Sequence, residues 1–210
     1  MPKSQLSVIP RKTPTQRRSI ELVESLIEAT ARVLRTQGME AVSTNRVAEV
    51  AGVSVGSLYQ YFPGKDALVY AVLERQERAQ LMLLSGALEA APDRPLPELV
   101  RSVVRSLLRF HRDDPELTRV LLEQRRRLIA LRPLPELEQA FHSVVVDALR
   151  SRADELRDLP LEIAAFIIQR TVDALSLDAV LRRPEFLEDH RFEDEIVELI
   201  LRYVGVGDGG

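Results

Sequence analysis

The chain has 210 residues, a length that fits one large domain or a small domain joined to a larger one. Apolar residues make up 45% and charged residues 29%, with a formal net charge of -3, which is the composition of a globular protein rather than a disordered or fibrous one. The sequence contains no cysteine, which excludes disulfide frameworks, thiolate catalysis and zinc sites that depend on sulfur.

Two features argue against secretion and membrane insertion. The longest stretch without a charged residue, residues 50–64, includes glycine, serine, glutamine and proline and is too short to span a bilayer. The first twenty residues hold no continuous apolar stretch of the length that a signal peptide requires. We therefore expect a cytoplasmic protein without a membrane partner.

Charge is distributed unevenly along the chain. Residues 1–70 carry nine lysines and arginines against six acidic residues, whereas residues 71–210 carry 20 basic and 26 acidic residues. A basic excess at one end is compatible with a polyanionic partner. A difference of this size does not identify such a partner by itself.

The spacing of apolar residues predicts helices throughout the chain. No segment alternates with period two over a useful length, and no internal repeat of fixed period occurs. The predicted fold class is therefore all-α. Glycines and then prolines set the predicted helix bounds at residues 19–37, 44–51, 54–61, 65–90 (with or without a break near residue 80), 95–110, 115–129, 133–156, 160–182 and 192–204.

The second and third predicted helices are short and are separated by a turn at Gly52 and Val53, which gives them helix-turn-helix dimensions. Thr44 and Ser54 are suited to cap the amino ends of these two helices. The common buried side of the pair is predicted from the apolar residues Val47, Val53, Leu58 and Phe62.

If Leu58 and Phe62 face inward, the remainder of the third helix largely faces outward. That surface is uncharged and bears aromatic rings, which is unusual for an exposed helix, and we expect it to bind a partner. Either tyrosine could instead pack against the first helix. The residues predicted to face outward are Val55, Gly56, Ser57, Tyr59, Gln60 and Tyr61.

Double-stranded DNA fits this surface chemically. Gln60 can donate to and accept from adenine in the major groove, Val55 can contact a thymine methyl group, and Gly56 permits close approach of the backbone. The third helix has no arginine, so the bidentate contact of arginine with guanine is missing there.

Other residues are suited to contact phosphates. Ser57, Tyr59 and Tyr61 offer hydroxyl groups, and Thr44 and Asn45 place donors at a helix start. A lysine is unfavourable at a helix amino terminus, and we therefore expect Lys65 to have a phosphate partner. Four basic residues near the amino terminus either add backbone or minor-groove charge or form a charged tail without DNA contacts: Arg11, Lys12, Arg17 and Arg18.

Residues 43–68 read STNRVAEVAGVSVGSLYQYFPGKDAL and closely resemble the DNA-binding domain of the tetracycline-repressor (TetR) family of transcription regulators. The resemblance extends over roughly residues 19–75, whereas the rest of the chain is similar to the family only in being long, helical and variable. It implies that nine residues occupy DNA-contacting positions: Thr44, Asn45, Val55, Gly56, Ser57, Tyr59, Gln60, Tyr61 and Lys65.

The resemblance also implies a domain organisation and a function. We expect a flexible basic arm (residues 1–18), a helix-turn-helix DNA-binding domain (19–66), a larger helical effector-binding and dimerisation domain (67–204) and a disordered tail (205–210). The implied function is that of a ligand-responsive repressor, released from a palindromic DNA operator by a small-molecule effector of unknown identity that shifts the fourth helix. Candidate effector-binding residues are Met82, Phe110, Phe141 and His142.

The helices predicted at residues 160–182 and 192–204 are apolar on more than one side. One core in a chain of this size does not easily cover both sides, so a second subunit is expected to cover the remainder. The alternative is a fully buried central helix. The family resemblance favours a homodimer with a four-helix interface formed by these two helices of each subunit.

The sequence allows two alternatives to DNA binding. A helical interaction scaffold could keep the motif without binding an operator. Residues 52–56 match the G-x-S-x-G pattern of a hydrolase nucleophile, but that pattern requires a preceding strand, and the sequence predicts a helix there. The three histidines, His111, His142 and His190, are isolated, so we predict no enzyme, no cofactor and no metal site.

Overall fold

The computed structural model describes residue 8, residues 16–90 and residues 93–205. These residues form ten α-helices and two short 3-10 helices, Met39–Ala41 and Ala153–Glu155, and no strand. The prediction of an all-α fold is therefore confirmed. The helices are α1 (Arg17–Gln37), α2 (Thr44–Ala51), α3 (Val55–Tyr61), α4 (Lys65–Glu89), α5 (Leu96–Asp113), α6 (Pro115–Leu131), α7 (Pro135–Arg150), α8 (Leu161–Arg182), α9 (Glu185–Glu188) and α10 (His190–Val204).

Most observed helix bounds lie within three residues of the predicted ones, and three further details differ. Ser43, rather than Thr44, caps α2, because its side chain accepts a hydrogen bond from the backbone N–H of Arg46. Helix α7 ends at Arg150, well before the predicted end at residue 156. The four-residue helix α9 was not predicted. The expected arm and tail lie largely outside the described residues, as do Arg11 and Lys12, but Arg17 and Arg18 of the expected flexible arm belong to helix α1.

The chain packs into two compact units. The first unit consists of the residues up to Glu77 together with Glu116–Leu134, so that it contains α1, α2, α3, the first half of α4 and most of α6. Its core is a single cluster in which Tyr70, Phe62 and Leu26 are among the largest fully buried side chains. The predicted boundary at residue 66, between the DNA-binding domain and the effector-binding domain, is a functional division and does not coincide with the division into packing units. It stays a prediction.

The second unit consists of Arg78–Pro115 and of the chain from Pro135 onward. Helix α5 packs against α8 and α10, and α7 packs against α8. Ion pairs join α5 to the start of α10: Arg105 donates to Glu193 at 2.9 Å, and Arg101 pairs with Glu193 and Asp194. No helix among the described residues combines the length and apolarity that crossing a lipid bilayer requires.

His111 on α5 is a buried polar residue in the second unit. Its ring lies edge-on to Phe110, with 5.5 Å between ring centroids, and none of the described residues hydrogen-bonds to Nδ1 or Nε2. Burial lowers the pKa of His111 from 6.5 to about 4, because a charged imidazole would be poorly solvated there.

We expect the stability of the protein to fall as the pH decreases from 6.5 towards 4. The folded state favours neutral His111, whereas the histidine of the unfolded chain binds a proton below pH 6.5. The contribution of His111 to the free energy of unfolding is therefore complete above pH 6.5 and is lost as the pH falls from 6.5 to 4. The loss should be on the order of 3 kcal/mol, measurable as the free energy of unfolding in urea at pH 7 and pH 4. His111→Leu should lose much less stability over this range, and an equal loss in both proteins would contradict the prediction.

Candidate nucleic-acid interface

A tight turn sets the angle between α2 and α3. Gly52 ends α2 in the left-handed conformation, with φ of 68°, and its N–H donates to the carbonyl of Glu49 at 3.1 Å. The N–H of Val53 donates to the carbonyl of Ala48 at 3.0 Å. Any residue with a Cβ would be strained at position 52, at a cost of about 1–2 kcal/mol. The glycine therefore fixes where the next helix begins.

Ser54 caps α3 immediately after this turn, as the sequence predicts. Its Oγ accepts a hydrogen bond from the N–H of Ser57 at 3.0 Å and lies 2.8 Å from the Oγ of Ser57. The segment before Ser54 is the end of a helix and not a strand. Residues 52–56 are thus a helix end followed by a helix start, which accounts for the serine without a catalytic role.

Helix α3 has one buried face and one exposed face. Leu58 is fully buried, and Tyr61 is only 7% exposed within the core of the first unit. The prediction that Tyr61 faces outward is therefore wrong, because Tyr61 lies three residues after Leu58 and so shares its face of the helix. The opposite face carries Val55, Gly56 and Gln60, all exposed, and Tyr59, which is 39% exposed.

The exposed face of α3 continues onto the start of α2. The hydroxyl groups of Thr44 and Tyr59 lie 3.1 Å apart, within hydrogen-bonding distance. Asn45 is exposed beside Thr44, and Ser57 is half-buried. We use the name reading surface for the exposed or half-buried residues Thr44, Asn45, Val55, Gly56, Ser57, Tyr59 and Gln60.

Gly56 stands out within the reading surface because the fold does not require a glycine there. Its φ is not positive, and a Cβ added at this position would have only the Oγ of Ser54 within 4 Å, at an ordinary 3.8 Å. Glycine in a helix is less favourable than alanine by up to about 1 kcal/mol. The absence of a side chain at Gly56 is therefore not needed for packing within the protein, and it leaves the backbone accessible to a partner from outside.

A second group of charges lies where α4 begins. Lys65 is exposed at the first residue of α4, where the helix dipole favours an anion. Both carboxylate oxygens of Asp66 accept hydrogen bonds from Arg127 of α6, each at 2.9 Å. These hydrogen bonds hold the pKa of Asp66 below its usual value. Arg127 thus fixes the start of α4 and compensates the acidic charge beside Lys65.

The two arginines of the predicted arm that the structure describes are exposed. Arg17 begins α1 and pairs with Glu21 at 2.9 Å, and Arg18 is exposed beside it. Together with Lys65 they provide positive charge in the first unit, whereas the reading surface itself is uncharged. An uncharged surface with nearby cations can contact base edges while the cations contact phosphates.

The second unit contains a cavity of about 110 Å³, far larger than the roughly 10–15 Å³ that one water molecule needs. Its wall is formed by 21 side chains, of which 17 are apolar, from α4, α5, α7, α8 and α10 together with Arg152 and Leu156 of the segment after α7. Phe141 is part of this wall.

The other three candidate effector residues lie outside the described wall of the cavity. Met82 is 75% exposed, Phe110 is half-buried beside His111, and Nε2 of His142 lies 2.7 Å from Oε2 of Glu162. The candidates were large or polarisable side chains, whereas leucines and valines form most of the wall. The signal was present in α5, where Val100, Val104 and Leu107 recur on one face.

Helix α8 carries an exposed apolar face. Phe166 is 54% exposed, and the guanidinium carbon of Arg170 lies over its ring, 5.6 Å from the ring centroid. Arg170 and Asp178 are exposed polar residues within this face. The exposed large apolar residues are Ile163, Phe166, Ile167, Leu175 and Leu181 on α8, and Leu199 on α10.

Among the described residues, no group of three or more acidic or histidine side chains is placed to hold a metal ion. The two sites that the geometry supports are therefore the reading surface with its neighbouring cations, and the cavity of the second unit.

Two family models match the chain. Residues 26–72 match the model described as bacterial regulatory proteins of the tetR family, and residues 95–203 match the tetracyclin repressor-like C-terminal domain. The first match includes the whole reading surface. The second match alone covers more than half of the chain.

Curated relatives and solved structures agree with these matches. The nucleoid occlusion factor SlmA of Glaesserella parasuis is 31% identical over 115 residues, which are 54% of this chain and 53% of that protein. SlmA of Haemophilus influenzae strain Rd is 29% identical over 121 residues, which are 57% and 52% of the two chains. This chain therefore spans about half the length of the curated relatives that it matches.

Among solved structures, a candidate transcriptional regulator of Pseudomonas aeruginosa PAO1 has a TM-score of 0.70 and 25% identity, covering 88% of this chain and 90% of its own. The fatty acid degradation regulator FadR of Bacillus halodurans has a TM-score of 0.68 and 15% identity, covering 90% and 97%. At 15% identity the FadR likeness shows the fold alone.

The two tyrosines of α3 should respond oppositely to truncation. Tyr61→Ala should lower the free energy of unfolding by about 3–5 kcal/mol, because it leaves a cavity in the core of the first unit. Tyr59→Ala should cost no more than about 1 kcal/mol, since its ring is 39% exposed and its hydrogen bond with Thr44 lies at the surface. Urea denaturation followed by circular dichroism measures both values. Equal losses in the two variants would contradict the assigned faces of α3.

Proposed function

The chain belongs to the TetR family of DNA-binding transcription regulators, and on this premise we propose that it is a repressor released from a palindromic operator by a small-molecule effector. In this proposal the reading surface lies in the major groove of the operator, and the effector occupies the cavity of the second unit. The protein acts in the cytoplasm, where it meets its operator.

The observation that carries the proposal is the exposed face of α3. Gly56 interrupts this face without a reason in the fold, and its exposed neighbours are uncharged. A close-fitting partner accounts for the glycine, since a Cβ would keep a groove edge away from the backbone, and the uncharged neighbours suit hydrogen bonds and apolar contacts with base edges.

We assign separate roles to the exposed residues. Gln60 hydrogen-bonds to adenine, and Val55 contacts a thymine methyl group. Thr44, Asn45 and Tyr59 hydrogen-bond to phosphates, as does Ser57 where its hydroxyl is accessible. Lys65 adds a phosphate contact at the start of α4. The buried ring of Tyr61 supports α3 from inside, as Leu58 does.

A homodimer supplies the two-fold symmetry that a palindromic operator requires. The exposed apolar residues of α8, with Leu199 of α10, form the subunit interface in this proposal. Two copies of α3 related by the dimer axis then meet half-sites about one helical turn apart, roughly 34 Å, or somewhat more.

Helix α4 connects the effector to the operator in this proposal. The same helix begins at Lys65 and contains Gln80, which lines the cavity. Effector binding that favours a different position of α4 changes the separation of the two reading surfaces and weakens DNA binding. A helical scaffold without DNA binding is the competing hypothesis, and it predicts no specific retardation of DNA.

Selection of genomic fragments followed by gel-shift titration tests the proposal. We expect specific retardation whose affinity falls steeply with salt concentration, because phosphate contacts release counterions. Gln60→Ala should remove discrimination at one base position, by about 1–3 kcal/mol. Lys65→Ala should weaken all sequences alike and reduce the salt slope by about one. No specific retardation of any fragment would favour the scaffold, and reversed effects of the two variants would contradict the residue roles.

The dimer interface can be tested with two exposed apolar residues. Phe166→Asp on α8 should convert the dimer to a monomer, because two carboxylates would be buried in an apolar interface. Met82→Asp on α4 is the matched control, since Met82 is even more exposed but lies outside the proposed interface. Multi-angle light scattering at micromolar concentration measures both. A monomeric wild-type protein, or a dimeric Phe166→Asp variant, would contradict the interface.

A further inference from the structure

The cavity wall of the second unit carries two opposite charges, and both are engaged within the protein. Arg152 donates to Oε1 of Glu155 at 2.9 Å and to the carbonyl of Arg94 at 2.7 Å. Asp173 on α8 also interacts with the rest of the protein. An anionic ligand would have to displace the partners of Arg152 and would meet the charge of Asp173. The wall therefore favours a neutral ligand.

Two buried polar side chains follow wall residues of the cavity by one helical turn. His111 follows the wall residue Leu107 by one turn of α5, and Ser176 follows the wall residue Val172 by one turn of α8. Both are nine-tenths or more buried, and no described residue hydrogen-bonds to the ring nitrogens of His111 or to the Oγ of Ser176. Buried polar atoms without partners are uncommon in folded proteins and call for an explanation.

His111 and Ser176 lie towards the same end of the second unit. Helices α5 and α8 pack against each other, and both contact α9. Arg112, next to His111, lies 3.9 Å from Glu188 of α9, which follows the end of α8 directly. The carboxyl ends of α5 and α8 therefore meet at α9, and the two helices run in the same direction. A residue that follows the cavity wall by one turn is therefore displaced towards α9 on both helices.

We propose that the cavity binds a neutral, mainly hydrocarbon effector with a hydroxyl or carbonyl group at one end, and that His111 and Ser176 hydrogen-bond to that group. The assignment rests on the proposed role as a ligand-responsive regulator. The hydrocarbon part of the effector lies among the leucines and valines of the wall. Its polar end passes Leu107 and Val172 and reaches the two polar side chains.

The chemistry of the two side chains suits such a group. Burial keeps His111 neutral at physiological pH, so its ring offers one donor and one acceptor nitrogen. The hydroxyl of Ser176 can donate or accept. A ligand hydroxyl or carbonyl can therefore be bound without a charge on either side, whereas a carboxylate would enter a site that offers no counter-ion.

Displacement of a fluorescent dye from the full-length protein tests the charge of the ligand. N-phenyl-1-naphthylamine, which is neutral and apolar, should bind to the wild type and fluoresce. Val100→Phe, which fills the cavity from a half-buried wall position, should bind the dye much more weakly. 1-Octanol should displace the dye at concentrations at least tenfold lower than octanoate. Equal displacement by octanol and octanoate would overturn the neutral ligand, and unchanged dye binding by Val100→Phe would overturn the cavity as its site.

Variants at the polar end test the roles of the two buried side chains. Ser176→Ala should bind the dye as the wild type does, but it should require about tenfold more octanol for displacement. His111→Leu should show the same dye binding and the same increase in the octanol concentration as Ser176→Ala. If His111→Leu fails to fold, Ser176→Ala alone tests the proposed hydrogen bonds. Ser143→Ala, on α7 outside the described wall, is the matched control and should behave as the wild type. Unchanged octanol displacement in Ser176→Ala would overturn the proposed hydrogen bonds.

Gel shifts of the same variants without octanol separate this inference from the proposed function. Variants that retard the operator as the wild type does, but show no selective loss of octanol binding, would overturn the ligand assignment alone. A wild-type protein that retards no fragment would overturn the proposed function, whatever the dye measurements show.

Discussion

Helix α3 is too short to be stable in isolation, so its position depends on tertiary packing. Leu58 and Tyr61 provide that packing from one face, while Gly52 and Ser54 fix the start of the helix. Because this face of α3 packs in the core, the opposite face is exposed and its position is fixed. The contacts that we propose with DNA, and the spacing of two such faces in a dimer, depend on this division of a seven-residue helix.

The local chemistry of the reading surface was predictable because its signals lie within a few residues of one another. A glycine at a helix end acts through its own backbone conformation, and a serine at a helix start acts through a hydrogen bond from a backbone N–H three residues later. Neither needs a distant partner. Two details were wrong. Ser43 and Thr44 are both good capping residues, so composition does not choose between them. The outward position of Tyr61 followed from assigning only Leu58 and Phe62 to the inward face, although its spacing from Leu58 places it on the buried face too.

The cavity and the ion pairs were less predictable because they join residues that are distant in the sequence. Five helices contribute to the cavity, and the choice of Met82, Phe110 and His142 by residue type could not detect that assembly. Helix α7 ends at Arg150 without a glycine or proline to mark the end. The Arg127–Asp66 pair, which spans 61 positions, places α6 in the unit that contains the reading surface. The long apolar helices were predictable, since period and composition suffice for them.

Operator affinity of a Gly56→Ala variant, measured together with its free energy of unfolding, tests the docking of the reading surface most directly. The added methyl group meets open space in the free protein, so stability should stay the same or rise by up to about 1 kcal/mol. Operator affinity should nevertheless fall at least tenfold, because the methyl group occupies space that the groove edge requires. An operator affinity equal to that of the wild type would contradict close docking of α3 on DNA.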